Sequence, residues 1–313
     1  MIVVGGEALV DIIENVDGTQ RKAPGGGPFN TVRALARLGV PTAFLGRLSD
    51  DDLGLQLAGL LAADGADLSL MVSGPEPTTT AVARVDGDGI AEYEFFTDGT
   101  SAPNLTEDML PPELGPQVDA IHIGTLGLVL EPMASTLIEL VRREAGRRLV
   151  MLDPNIRSAL TAEREYRHRL EAVIAQSTIL KVSAADLAWL YPTLDQEAAA
   201  EQLLTAGPRL VLVTLGTEGA FGATAGHHVR VSAPSVTVVD TIGAGDTFGA
   251  AVLAWLFHND ALRVDLSINA EELKSILDFA CMAASLACTR QGAEPPWKAE
   301  LDGALASAGR GSQ

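Results

Sequence analysis

The stretch that decides the fold runs Val236-Thr237-Val238-Val239-Asp240-Thr241-Ile242-Gly243-Ala244-Gly245-Asp246-Thr247-Phe248, with an apolar continuation to Phe257. Its first four residues read as a strand, and the run from about Thr247 to Phe257 reads as a helix. Small residues at the turn between them let the backbone come close to a ligand. The free N–H groups of the first helical turn point at that ligand, and the helix dipole favours negative charge there. Gly243-Ala244-Gly245 is therefore an anion hole, and Asp246 sits at its mouth. A carboxylate in such a place is unfavourable unless it has a cation or a task. Taking a proton from an attacking hydroxyl is one such task.

Outward from this turn, short apolar runs alternate with amphipathic stretches. Ile2–Val4, Thr42–Leu45, Ala120–Ile123, Leu149–Leu152, Thr178–Val182 and Leu210–Leu215 predict buried strands. Phe29–Leu38, Leu53–Ala63, Pro132–Arg143, Glu163–Ala175 and Glu197–Leu204 predict helices. Strand and helix in turn argue for an α/β fold with a mostly parallel sheet covered on both faces. Two segments break the rhythm. Asp11–Lys22 and Thr79–Thr97 read as hairpins, the second turning at Asp86-Gly87-Asp88-Gly89. They predict a small antiparallel sheet apart from the main one, acting as a lid. The whole chain, 1–313, is expected to form one domain, with lid segments 11–22 and 79–97 inserted in it.

Composition narrows the function classes. Hydrophobic residues make up 47% of the 313 residues and aromatics 4%, so the core is built of Leu, Val, Ala and Ile. The formal net charge of −19 lacks the basic footprint of a nucleic-acid binder and would be repelled by an anionic membrane. Met1-Ile2-Val3-Val4 is apolar, but Glu7 and Asp11 interrupt it, and the apolar run from Gly249 to Phe257 is too short to span a bilayer. A cytoplasmic protein is expected. Cys281 and Cys288, if helical, stand about 10 Å apart along one face. That is too far for a disulfide and suits two small buried hydrophobes. The five histidines lack zinc-ligand spacing with Cys or acidic partners.

The turn taken alone admits three chemistries. It fits a tight turn with Asp246 as helix N-cap. Gly243-x-Gly245-x-x-x-Gly249 approaches a dinucleotide fingerprint, but no strand ending in an acidic residue follows about 20 residues on. It also fits phosphoryl transfer, and the absence of Gly-x-x-x-x-Gly-Lys-Ser/Thr excludes a P-loop enzyme.

Asp240-Thr241-x-Gly243-Ala244-Gly245-Asp246 followed by Thr247-Phe248 resembles the signature of the ribokinase-like (PfkB) carbohydrate kinases. Other segments match in order from Asp11 to Ala293. Gly25-Gly26-Gly27-Pro28-Phe29-Asn30 resembles the sugar-binding signature in its fructokinase form. Asp153-Pro154-Asn155-x-Arg157 resembles a segment of the fructokinase and 2-keto-3-deoxygluconate kinase branches. Thr214-Leu215-Gly216-Thr217-Glu218-Gly219 is similar to the nucleotide-side turn.

The resemblance implies a ribokinase-like three-layer α/β fold with a small β-sheet lid, and an ATP-dependent sugar kinase. In it Asp246 is the base, and Gly243, Ala244 and Gly245 form the anion hole. Asp11, Gly26, Gly27, Asn30 and Arg157 hold the sugar. Thr214, Gly216, Gly219, Gly243 and Gly245 hold ATP. Fructose is the first sugar implied and 2-keto-3-deoxygluconate the alternative. A non-catalytic sugar or nucleotide sensor on the same fold, and a nicotinamide oxidoreductase, are the rivals.

Mg²⁺ is implied as cofactor. The family's Asn-x-x-Glu motif is altered here to Ser183-x-x-Asp186, leaving Asp186 as the metal-side acid. Some members hold a monovalent cation, K⁺, between the loop at Thr289–Ala293 and the turn at Asp240; Pro296 stands where a Ser is common. Lids of this family pair across a homodimer in some members.

Overall fold

The computed structural model describes residues 1–14, 19–85, 91–157 and 163–310. The Asp86–Gly89 turn of the second hairpin lies outside them. The chain opens with β1 (Ile2–Gly5), β2 (Leu9–Glu14), β3 (Gln20–Gly25), α1 (Gly27–Arg37), β4 (Thr42–Ser49), α2 (Asp52–Ala63) and β5 (Met71–Gly74). The second hairpin forms β6 (Thr80–Val85) and β7 (Ala91–Phe96). Then follow β8 (Ala120–Gly124), α3 (Met133–Glu144), β9 (Leu149–Asp153), α4 (Glu163–Ile174), β10 (Ile179–Ser183), α5 (Ala184–Leu190) and α6 (Gln196–Ala206). The chain finishes with β11 (Leu210–Thr214), β12 (Ala220–Ala223), β13 (His228–Val231), α7 (Ala244–His258), α8 (Ala270–Cys288) and α9 (Lys298–Arg310).

Among these residues a nine-stranded sheet runs β13-β12-β11-β10-β9-β8-β1-β4-β5. Every pairing from β5 to β11 is parallel; β12 and β13 close the edge as an antiparallel hairpin. Parallel strands buried on both faces need apolar side chains at successive positions, which is why their sequences run without alternation. Ile2 and Val4 pack on the side of α1, α7 and α8, and Val3 packs on the side of α3, α4 and α6. Leu210 and Leu212 divide from Val211 and Val213 in the same way. The result is three layers with a core on each face of the sheet. Leu212 is fully buried. Leu212→Ala is expected to lower stability by about 2–5 kcal/mol, read from the urea midpoint at unchanged slope.

The lid is a separate four-stranded sheet, β3-β2-β6-β7. Residues 6–8 alone separate β1 from β2, so the lid rises directly from the carboxyl edge of the main sheet. Both predicted hairpins are its building blocks, β2 with β3 and β6 with β7, but the pair β2–β6 that joins them is parallel, so the smaller sheet is mixed rather than antiparallel as expected.

Two further expectations differ from the structure. Val236–Val239 is not a strand: residues 232–238 join no ladder, and Val238 and Val239 are 52% and 60% exposed. The β12–β13 hairpin already occupies the sheet edge beyond β11, so this segment runs beside α8, where the Val239 N–H donates to the Cys288 carbonyl at 2.8 Å. The helix also starts earlier than Thr247. Its N-cap is Gly243 at φ 75°, a left-handed conformation that suits glycine, and Asp246 is the third helical residue rather than the cap.

Candidate active site

Two cavities meet at the Gly243–Asp246 turn. One, about 450 Å³, lies between the β11 end and α8 and is lined mainly by apolar groups, among them Val236, Val238, Phe248 and Ala284. Thr214, Gly216, Gly219 and Ala244 line it as well. The other, about 430 Å³, lies under the lid and carries Asp11, Gly26, Gly27, Asn30, Arg157, Asp186, Gly243 and Asp246. Thr214, Thr241 and Gly245 border both. The site residues named from the sequence thus line one cavity or the other, Asp240 excepted.

Asp240 works from behind the turn. Its Oδ1 accepts from Ile242 N–H at 3.0 Å and its Oδ2 from Gly292 N–H at 2.9 Å, which ties the turn to the loop after α8. Asp186 stands in the first turn of α5. Its Oδ2 accepts from the backbone N–H and hydroxyl of Ser183 in a capping box, and its Oδ1 from Ile156 N–H at 2.8 Å. Asp11 lies within β2 of the lid, in the first of the two hairpins.

Asp246 faces the lid cavity. Asn30, in the first turn of α1, donates Nδ2–H to its Oδ2 at 2.8 Å, and the Asn30 Oδ1 is buried without a partner. A Cβ on Gly27 would stand 2.5 Å from Thr125 Cγ2 and 3.3 Å from Asp246 Oδ1, so only glycine lets α1 approach this closely. Burial raises the Asp246 carboxyl to about 6, against the Asn30 hydrogen bond, with Asp153 adding to the rise and Lys181 and Arg157 opposing it. Burial likewise lifts Asp11 to about 6, with Arg157 and Arg21 pulling down. A base near 6 is ionised at neutral pH yet basic enough to accept a proton in a transition state.

A family model for "pfkB family carbohydrate kinase" matches residues 1–300. The chain belongs to this family. It is an ATP-dependent sugar kinase of the pfkB type, with a ribokinase-like fold. A fructokinase of Rhizobium leguminosarum bv. trifolii is 40% identical over 267 residues, 84% of this chain and 81% of the relative. The crystal structure of fructokinase with bound ATP from Xylella fastidiosa matches with a TM-score of 0.89 and 26% identity, covering 98% of this chain and 99% of that one. A fructokinase double mutant from Vibrio cholerae O395, in fructose-, ADP- and potassium-bound form, matches with a TM-score of 0.86, 27% identity and 97% of each chain.

Within this pfkB kinase the structure adds groups that sequence reasoning passed over. Glu7, 1% exposed, accepts from Gly27 N–H at 3.2 Å, Gly127 N–H at 3.1 Å and the Thr125 hydroxyl. It fastens the α1 entrance to the β8 end, and burial raises it to about 7. Lys181, in β10, gives its ammonium to Asp153 Oδ2 at 2.7 Å, with side chains 5% and 4% exposed. A Cβ on Gly245 would come 3.0 Å from Lys181 Nζ, so the ammonium lies directly under the Gly243–Asp246 turn. Burial pulls the lysine down, but Asp153, Asp246 and Asp186 outweigh it and keep the lysine charged. The signal was in the sequence: a lysine inside an apolar strand, Ile179-Leu180-Lys181-Val182, is rarely buried without a partner. Glu7 had a weaker one, standing just past the carboxyl end of β1, where open α/β sheets bind ligands.

Proposed function

We propose that this kinase phosphorylates a primary hydroxyl of fructose. The observation that carries the reading is Asp246 in the lid cavity, one residue beyond Gly245, which borders both cavities, and next to the N–H groups that open α7. Sugar occupies the lid cavity, and the nucleotide base occupies the apolar cavity beside α8. The sugar oxygen attacks the γ-phosphorus in line as its proton passes to Asp246, and ADP leaves with the β–γ bridging oxygen. The N–H groups from Gly243 to Asp246 neutralise charge on the transferred group. Lid closure excludes water, the competing acceptor.

Among the described residues no group of three or more acidic, His or Cys side chains gathers around a metal position. Mg²⁺ fits here as an ion held mostly by phosphate oxygens and water. Asp186 and the buried, unpartnered Oδ1 of Asp153 are the oxygens that would receive those waters. When bound, Mg²⁺ supplies charge neutralisation along the phosphates. K⁺ is proposed beside Asp240, whose carboxylate keeps acceptor capacity after taking its two N–H groups. The outer edges of the lid, β3 and β7, suit pairing of two copies in a homodimer.

The charge of the lid cavity favours a neutral sugar. Glu7, Asp11, Asp186 and Asp246 line it against Arg157 and Lys181, and Lys181 is already paired with Asp153. Carboxylates suit hydroxyl donors and oppose an anionic substrate. Arg157, exposed at the rim, is the one observation that favours the alternative, 2-keto-3-deoxygluconate. Initial rates of ADP formation on fructose, 2-keto-3-deoxygluconate, ribose and adenosine test the reading. Fructose is expected to give the highest kcat/KM, and an equal or higher value for the sugar acid overturns it.

The pH profile follows from Asp246. Below about 6 the carboxyl is protonated and cannot accept a proton. The kcat/KM for sugar is therefore expected to fall at least tenfold per pH unit on the acid side, more steeply where Asp11, also raised to about 6, is protonated in the same range, and to level off above it. A profile flat down to the ordinary carboxylate range contradicts a raised base.

A further inference from the structure

The loop after α8 presses on the catalytic turn. A Cβ on Gly243 would lie 2.6 Å from the Ala293 Cβ, and Gly292 N–H binds Asp240 from the same loop. The place of this loop therefore sets the place of Gly243, the N-cap of α7. What holds the loop is a group of four charges between α1, the end of α2 and residues 293–295, with Arg33, Arg37 and Asp64 turned inward and Glu294 at the surface.

Arg33, whose side chain is 3% exposed, donates Nε–H to Asp64 at 2.6 Å. It donates Nη1–H to the Ala293 carbonyl at 3.1 Å and Nη2–H to Glu294 at 3.0 Å. Arg37, one turn on, donates to the other Asp64 oxygen at 2.8 Å, to Glu294 at 2.8 Å and to the Pro295 carbonyl at 2.9 Å. Two arginines face two acids, so the charges of the group balance. Planar forks holding carboxylates and carbonyls at once impose geometry as well as charge. Asn30 stands on the same helix one turn before Arg33 and holds Asp246 directly. Helix α1 thus grips the catalytic turn twice, through Asn30 on the base and through Arg33 on the loop behind Gly243.

We propose that Arg33 is a positioning residue for phosphoryl transfer: through Ala293 and Glu294 it seats the loop that fixes Gly243 and the anion hole. The proposal rests on the reading of Gly243–Asp246 as the transfer site. Arg33 touches neither cavity, so its loss is expected in kcat rather than in sugar binding.

The test is steady-state kinetics on R33M, R33K and the charge-balanced R33M/D64N, with thermal unfolding of each. Misplacement of reacting groups on the order of 1 Å costs about 10²-fold in rate, and that is the kcat loss expected for R33M, with sugar KM changed less than about threefold. R33M/D64N leaves Arg37 paired with Glu294 and removes the uncompensated acid. It is expected to unfold nearer the wild-type temperature while keeping the low kcat. R33K, which retains charge without the fork, is expected to fall between. In R33A, millimolar guanidinium is expected to restore part of kcat. Wild-type kcat in R33M/D64N, or a kcat that returns in step with thermal stability, overturns the proposal. Failure of the kinase reading is a separate outcome, since the unaltered protein would then form no ADP when sugar is added.

Discussion

Asp246→Asn is expected to lower kcat by about 10²–10⁴-fold with ATP affinity retained. Asn keeps the size and planarity of the side chain, and its carbonyl oxygen can still accept from Asn30 Nδ2, which lies 2.8 Å from Asp246 Oδ2. The helix start is also untouched, because the cap is Gly243 and not Asp246. What disappears is the acceptor for the sugar proton. The change is not expected to weaken the fold. Burial raises Asp246 to about 6, so its charge is unfavourable where it stands, and a neutral amide removes that cost. A tight-turn residue with no chemical role would show the reverse, altered stability at near-normal kcat. Steady-state rates and thermal unfolding on the same preparation separate the two.

Lys181→Met is expected to be the most damaging single change for stability and to alter catalysis in a second, distinguishable way. Met fills the space of the lysine stem but leaves Asp153 buried without its cation. Breaking a buried pair from one side costs about 3–5 kcal/mol, a large share of the roughly 5–15 kcal/mol that holds a typical domain. Asp153 already has one oxygen unpartnered, and burial raises its carboxyl despite Lys181, so it is poorly placed to lose the ammonium that pairs with it. The catalytic effect runs through Asp246, whose carboxyl Lys181 helps hold down. Without that ammonium the acid limb of kcat/KM is expected to move upward from about 6. K181M/D153L removes both charges together. It is expected to recover most of the lost stability, since replacing a buried pair by apolar groups is often neutral. An unmoved acid limb in folded K181M would separate Lys181 from the base; in K181M/D153L the two charges that act on Asp246 in opposite directions leave together.

The parts legible in the sequence were those whose physics is local. The small residues of Gly243-Ala244-Gly245 mark a tight strand-free turn into a helix, and the unbroken apolar runs of β1, β9 and β11 require cover on both faces. Both lid hairpins announced themselves by leaving the strand–helix rhythm. Val236–Val239 was misread because a β-branched run has the same composition whether it joins a ladder or runs beside a helix. Only the β12–β13 hairpin, four short residues to each strand, decided which. The working contacts of the site are long-range: Asn30 meets Asp246 across 216 positions and Glu7 meets Gly127 across 120. No periodicity encodes such pairs. Glu7 and Lys181 acquire their meaning from what folds around them, as does the Arg33 fork, whose partners come from α2 and from the loop after α8.

The central claim is transfer of the γ-phosphoryl to a neutral sugar at the Asp246 turn. Its most direct measurement follows ADP and phosphorylated sugar together after fructose is added to the purified protein with ATP and Mg²⁺. The account predicts that ADP appears only when sugar is present, in equal amount to fructose phosphate, and that D246N slows formation of both products in parallel. ATP consumption at the same rate with and without sugar, or binding of both ligands with no phosphorylated product, would contradict it.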